Sequence, residues 1–292
     1  MIELGQIYFT GFADEAAKSL EDQIRITKEL GWSNIESRCI DGDNIHDISE
    51  EKFAEVCDKL DAAGVGVNCF GSTIANWATE ISDPFENTLD KVKRAIPRMQ
   101  QLGTKLVRVM SYAFPEEGQD VMEEERFRRL REMTNMFNDA GITPVHENCM
   151  NYGGLSYQHT LKMLENVPGL KLVFDTGNPV FNLDRSKDEP YPYQSSWEFY
   201  SNVKSHIEYL HVKDARIDPE TKECIYTWPG EGDGDVEKIL KDLLANGYTG
   251  GISIEPHLAA VFHDDSESVD EDKMASTYTE YGKRVEKILS RY

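Results

Sequence analysis

The stretch "DLLANGYTGGISIEPH", residues 242–257, carries the whole pattern of the chain in one phrase. Leu243 and Leu244 close an amphipathic helical run, Gly247 stops it, and Ile252 and Ile254 make a short, β-branched apolar strand. That strand runs into Glu255, Pro256 and His257. A carboxylate at the end of an apolar strand costs free energy unless something pairs with it.

The phrase recurs as "ITKELGWSNIES", "CDKLDAAGVGVNCF", "PRMQQLGTKLVRVM", "MFNDAGITPVHE" and "MLENVPGLKLVFD", with Gly31, Gly64, Gly103, Gly141 and Gly169 as the markers. Glycine in each supplies the left-handed residue that ends a helix before a strand begins. One further unit, "SWEFYSNVKSHIEYLHVKD", lacks the glycine. With an opening strand at "QIYFTGF", eight strand candidates fall near 6–12, 34–38, 65–70, 105–110, 142–147, 170–175, 207–212 and 250–255. Helical patterns lie between them, and a last one runs from about Lys273 to Ser290. Alternating units with apolar strands call for a parallel sheet covered by helices. In a chain of 292 residues that is most economically a single (β/α)₈ TIM barrel occupying residues 1–292. A doubly wound open sheet is the competitor, and the lack of a GxGxxG after the first strand or of a P-loop speaks against it.

No linker divides the chain. The stretches "NLDRSKDEPYPYQSS" (182–196) and "HDDSESVDEDK" (263–273) read as insertions after strands, on the face where barrel active sites sit. A net charge of −22 would repel a phosphate backbone, which argues against nucleic acid. The acidic N-terminus lacks the basic flank of a signal peptide, and no apolar run is long enough for a membrane span. Five widely spaced cysteines without a CxxC fit reduced thiols in a cytoplasmic protein.

Four consecutive strand candidates end in "PVHEN", "LVFDTGN", "YLHVKDAR" and "SIEPH". Barrel geometry would aim Glu147, Asp175, His211 and Glu255 at one point above the axis. Three carboxylates there repel one another unless a cation joins them, and an imidazole suits as a fourth ligand. One divalent ion is therefore expected: Mn²⁺ or Co²⁺ first, with Mg²⁺ or Zn²⁺ compatible with the same donors. Each residue alone has an ordinary reading. Asp175 could cap the turn "DTGN", and His211 could be a hydrogen-bonded core histidine.

These strand ends, with "GEGDGDVEKILKDLLANGYTGGISIE", resemble the xylose-isomerase-like TIM-barrel superfamily, home to sugar phosphate isomerases and epimerases, inosose dehydratases and the endonuclease IV class. The resemblance implies that Glu147, Asp175, His211 and Glu255 bind one metal ion. It also implies that Glu147 and Glu255 act as an acid–base pair on a sugar or keto-sugar. Removing a proton next to a carbonyl gives an enediolate whose charge a metal can hold. The resemblance further implies substrate contacts from Arg216, His257, Asn178, Lys213, Glu36 and Trp77, with Arg38, Arg108, Phe70 and Trp228 as further candidates. Family members are often dimers or tetramers, so a homo-oligomer is compatible with it. Two positions depart from the ketose 3-epimerase branch: Asn178 stands for its histidine and Gly153 for its glutamate.

The expected activity is a divalent-metal-dependent sugar or sugar-phosphate isomerase or epimerase, the acidic "PGEGDGD" favouring a neutral substrate over a phosphate. The alternative is a dehydratase-like or keto-sugar lyase on the same scaffold, with His257 as the acid for a leaving hydroxyl. An endonuclease would need further histidines on strands that here end in "ESRC", "NCFGS" and "RVMSY". A non-catalytic binding barrel would make the four ligands coincidental.

Overall fold

The computed structural model describes residues 7–114, 120–259 and 270–292. Residues 1–6 and most of the acidic insertion expected at 263–273 lie outside the described residues. Eight strands alternate with helices: β1 (Tyr8–Gly11), β2 (Asn34–Ser37), β3 (Gly66–Phe70), β4 (Leu106–Val109), β5 (Thr143–Glu147), β6 (Lys171–Asp175), β7 (Ile207–Val212) and β8 (Gly251–Ile254). They form one sheet in the order β1-β8-β7-β6-β5-β4-β3-β2, with parallel pairing throughout. Among the described residues, β1 and β2 meet at a single bridge, Phe12 to Glu36, helped by the Thr10 hydroxyl donating to the Asn34 carbonyl (3.1 Å). The result is the nearly closed (β/α)₈ barrel expected from the repeated phrase.

The helices follow from local chemistry. Ser19, Ser49, Ser156 and Ser195 cap helices Leu20–Glu29, Glu50–Ala63, Tyr157–Asn166 and Ser196–Val203, each accepting a backbone N–H of the first turn. All six marker glycines take the positive φ that ends a helix, Gly64 and Gly103 as left-handed C-caps. Between sheet and helices lies the apolar core, for example Phe53, Val92, Leu130 and Phe137 on one side and Phe174, Leu210, Ile239 and Val285 on the other. Inside the ring, Cys69, Val145, Val173 and Tyr209 fill the centre.

A polar column rises through that centre. Asn68 donates to the Tyr209 hydroxyl (2.9 Å), and Tyr209 and Ser253 donate to Glu36 (2.8 and 2.6 Å). Two hairpins at the strand ends were not expected from the sequence: Cys39–Ile40 with Asp43–Asn44, and Ala215–Ile217 with Cys224–Tyr226. Their strands of two or three residues are too short to show a period. Residues 182–195 of the expected 182–196 insertion lie between β6 and helix Ser196–Val203, and Ser196 opens that helix. Among the described residues, no helix is long and apolar enough to cross a membrane.

Candidate active site

Glu147 and Asp175 are the last residues of β5 and β6, His211 is the penultimate residue of β7, and Glu255 follows β8. The parallel register sets Asp175 beside His211, and His211 beside Ser253. One donor atom from each of the four lies within 4.8 Å of all the others, and all four side chains are buried. Glu147 and Glu255 stand at the two ends of this four-strand arc, with Asp175 and His211 between them.

Each donor is held by a partner behind it. His211 Nε2 donates to Glu36 (3.0 Å to Oε2), which fixes the tautomer with Nδ1 unprotonated when the ring is neutral. His211 Nδ1 lies 3.7 Å from Glu147 Oε1 and 3.7 Å from Glu255 Oε2, and it makes no hydrogen bond. Asp175 Oδ1 accepts from the backbone of Gly177 (2.8 Å) and Asn178 (2.6 Å). Its Oδ2 lies 3.1 Å from Lys213 Nζ. Arg108 bonds Glu147 Oε2 (3.0 Å) and Asn178 Nδ2 bonds Glu147 Oε1 (3.1 Å). Arg38 reaches Asp14 (2.8 Å), Glu15 (3.2 Å) and Glu255 Oε1 (3.3 Å). Both guanidinium groups lie over the Phe12 ring, at 4.3 and 4.9 Å from its centroid.

Electrostatics follow from these contacts. Burial disfavours the Glu147 carboxylate, but Arg108 and His211 outweigh it and hold its pKa down at about 2. Burial is likewise overcome at Glu255 by Lys213, His257, His211 and Arg38, leaving it well below the usual range. Asp175 goes the other way: burial, with Glu255 and Glu147 nearby, pushes it up to about 7 against Lys213. Burial opposes charge on His211 too, yet Glu36 and Glu147 raise it to about 10. Three buried carboxylates gathered around an imidazole nitrogen with no hydrogen bond make a site suited to a divalent cation. Three oxygens and one nitrogen fit a divalent ion of the Mn²⁺, Co²⁺ or Mg²⁺ kind.

Above the cluster a cavity of about 190 Å³ opens to the C-terminal face of the barrel. Of the substrate contacts expected from the sequence, Trp77, Asn178, Lys213 and His257 line it, as do Arg38 and Arg108. Arg216 does not: it is exposed on the Ala215–Ile217 hairpin strand, outside the cavity lining. Glu36 is fully buried beneath His211 rather than on the wall. Phe70 is buried in the core, and Trp228 packs against Tyr281 with Arg284 over its ring. Two residues the sequence reading missed, Asp14 and Glu15, sit in a single turn of 3₁₀ helix (Ala13–Glu15) after β1. Glu15 accepts the His257 backbone N–H (2.8 Å) and faces its ring (3.2 Å). The signal was there: "ADE" follows the first strand as the other acids follow theirs. His257 itself has φ 53, a left-handed conformation that a non-glycine residue rarely keeps without a reason.

The fold match is long. A family model described as xylose isomerase-like TIM barrel covers residues 24–274. The chain belongs to this family. No curated protein matches it. Among solved structures, a xylose isomerase-like TIM barrel protein from Mycobacterium smegmatis in complex with magnesium is 17% identical, with TM-score 0.70 and coverage of 98% of this chain and 97% of that one. D-psicose 3-epimerase with D-tagatose from Clostridium cellulolyticum H10 is 16% identical (TM-score 0.67, coverage 97% and 99%). The probable 3-DHS dehydratase involved in petrobactin synthesis from Bacillus anthracis is 16% identical (TM-score 0.62, coverage 92% and 97%).

Within this xylose isomerase-like barrel the loop after β5 is tightly built. A Cβ on Gly153 would stand 2.3 Å from His146 Cε1, so no side chain fits where the ketose 3-epimerase branch carries a glutamate. A Cβ on Gly154 would stand 1.7 Å from the Cys149 carbonyl oxygen. Gly154→Ala should therefore force the backbone apart and cost about 2–3 kcal/mol. Urea unfolding of the variant beside wild type measures it, and an unchanged midpoint would refute the packing argument.

Proposed function

We propose that this protein is a divalent-metal-dependent isomerase or epimerase of a sugar or keto-sugar. The observation that carries the reading is the buried His211 Nδ1, without a hydrogen bond and flanked at 3.7 Å by one oxygen each of Glu147 and Glu255. Glu147, Asp175, His211 and Glu255 would hold the ion. When bound, it would stabilise negative charge developing on substrate oxygens.

The chain's own residues account for the rest. Glu147 and Glu255 stand at opposite ends of the ligand arc, so a substrate in the cavity meets one carboxylate from each side. One removes the proton beside the carbonyl. The other returns it, to the opposite face of the same carbon for epimerisation or to the neighbouring carbon for isomerisation. Arg108 and Arg38 keep the two glutamates ionised between turnovers. Asn178 orients Glu147, and Trp77 offers an aromatic face to sugar C–H groups. The similarity of fold to an epimerase and to a dehydratase supports a carbohydrate-directed reaction of this kind.

A second reading rests on His257. Its Nε2 lies 3.4 Å from Glu255 and it lines the cavity, where it would protonate a leaving hydroxyl and turn the same first step into elimination.

Metal content by plasma mass spectrometry, for wild type beside Glu255→Gln and His211→Ala, tests the core of the proposal. Wild type should carry about one divalent ion per chain and both variants should lose it. If wild type takes up none when Mn²⁺ or Co²⁺ is supplied, the reading fails. A panel of sugars and keto-sugars run in deuterated water then separates the reactions. Unchanged mass apart from deuterium marks isomerisation or epimerisation, and loss of water marks the lyase.

A further inference from the structure

We infer that Lys213 is a displaceable cation of the ligand cluster, competing with the divalent ion for the same two carboxylate oxygens and turning towards the substrate when the ion binds. The inference rests on the metal-site reading above. Lys213 lies two residues past His211 on the same rim, and its side chain is buried. Its Nζ stands 3.1 Å from Asp175 Oδ2 and 3.1 Å from Glu255 Oε2.

Those are the two oxygens an ion would need. Asp175 Oδ1 is already engaged by the backbone of Gly177 and Asn178, which leaves Oδ2. Glu255 Oε1 faces Arg38 at 3.3 Å and His257 at 3.4 Å, which leaves Oε2, the atom beside His211 Nδ1. Glu147 has its own guanidinium in Arg108, and Glu255 has one in Arg38. Asp175 has Lys213 as its cation. A divalent ion bonded to Oδ2 and Oε2 would stand within a few ångströms of the ammonium, and like charges at that range in a buried site repel strongly.

The way out is short. The Lys213 stem is clamped at its base, because a Cβ on Gly177 would stand 2.8 Å from Lys213 Cγ. The outer part of the side chain would make the turn, into the cavity it lines with Asn178, Phe181 and Tyr226. Ion binding thus delivers a positive charge to the space a substrate oxygen would occupy. The same residue serves as counter-ion to the cluster and then as a substrate contact.

Calorimetric titration with MnCl₂ of chelator-treated wild type, Lys213→Met and Lys213→Arg tests the competition. Removing the ammonium should tighten Mn²⁺ binding by about tenfold or more, while the charge-keeping arginine variant should bind no more tightly than wild type. Equal or weaker binding by Lys213→Met overturns the inference but leaves the metal site standing. Absence of binding by all three proteins overturns both. Wild type gives an independent readout should the methionine variant not fold. Limited acetylation by acetic anhydride, quantified by peptide mass spectrometry, should label Lys213 several-fold faster in saturating Mn²⁺, and an unchanged rate refutes the displacement.

Discussion

Replacing Glu255 or Glu147 by glutamine is expected to lower turnover by about 10²–10⁴-fold, the usual contribution of a positioned acid–base group. The two variants should also fail differently. In the proposed mechanism each glutamate would reach the substrate from one end of the four-strand arc and serve the C–H bond on one face. For a pair of epimers, Glu147→Gln should abolish solvent-deuterium exchange in one and spare it in the other, and Glu255→Gln should do the reverse. Proton NMR of each epimer in deuterated water, with enzyme resupplied with Mn²⁺ at saturation, reads this directly. If both variants lose exchange with both epimers alike while calorimetry shows Mn²⁺ still bound, the two-base mechanism is wrong and a single base serves both faces.

Arg38→Met is expected to be the most damaging change to stability, by about 3–5 kcal/mol. The guanidinium meets three buried carboxylates, Asp14, Glu15 and Glu255. Methionine keeps much of the volume and the packing on Phe12 but leaves those carboxylates facing one another, with Lys213 reaching Glu255 (3.1 Å) and the His257 ring beside Glu15 and Glu255. Breaking a buried ion network from one side strands charge in a low dielectric, which costs far more than the network itself contributes. Denaturant unfolding measures the loss. Arg25, whose ion pairs with Asp22 and Glu29 are on the surface, is the matched control, and its replacement by alanine should leave the midpoint where it is. A loss for Arg38→Met no larger than for that control would show that the carboxylates are solvated or protonated rather than held by Arg38.

Much of this was legible in the chain. Six glycines mark helix ends because no other residue takes a positive φ so cheaply, and each does so here. The cluster of Glu147, Asp175, His211 and Glu255 was legible because a polar residue closing an apolar strand stands out, and parallel strands bring their ends to one rim. What escaped has physical reasons as well. Asp14 and Glu15 lie in one 3₁₀ turn, too short to leave a periodic trace. Arg216 was expected at the substrate from the resemblance, whereas here it lies exposed on a hairpin strand, outside the cavity lining. Glu36 points into the barrel from within β2, one layer below the strand ends, so proximity in sequence to the rim was misleading. Nothing in "HVKDAR" tells whether a four-carbon stem reaches outward or folds back, and Lys213 folds back.

The joint between β1 and β2 bears on how the protein tolerates heat. Among the described residues, every other neighbouring pair of strands is stitched by a ladder of two or more residues, whereas this one rests on the Phe12–Glu36 bridge and the Thr10–Asn34 hydrogen bond. Thermal breathing begins where the stitches are fewest. Glu36 belongs to that joint and also grips His211 through Nε2. Warming would therefore slacken the imidazole before the rest of the barrel yields, and inactivation would precede melting.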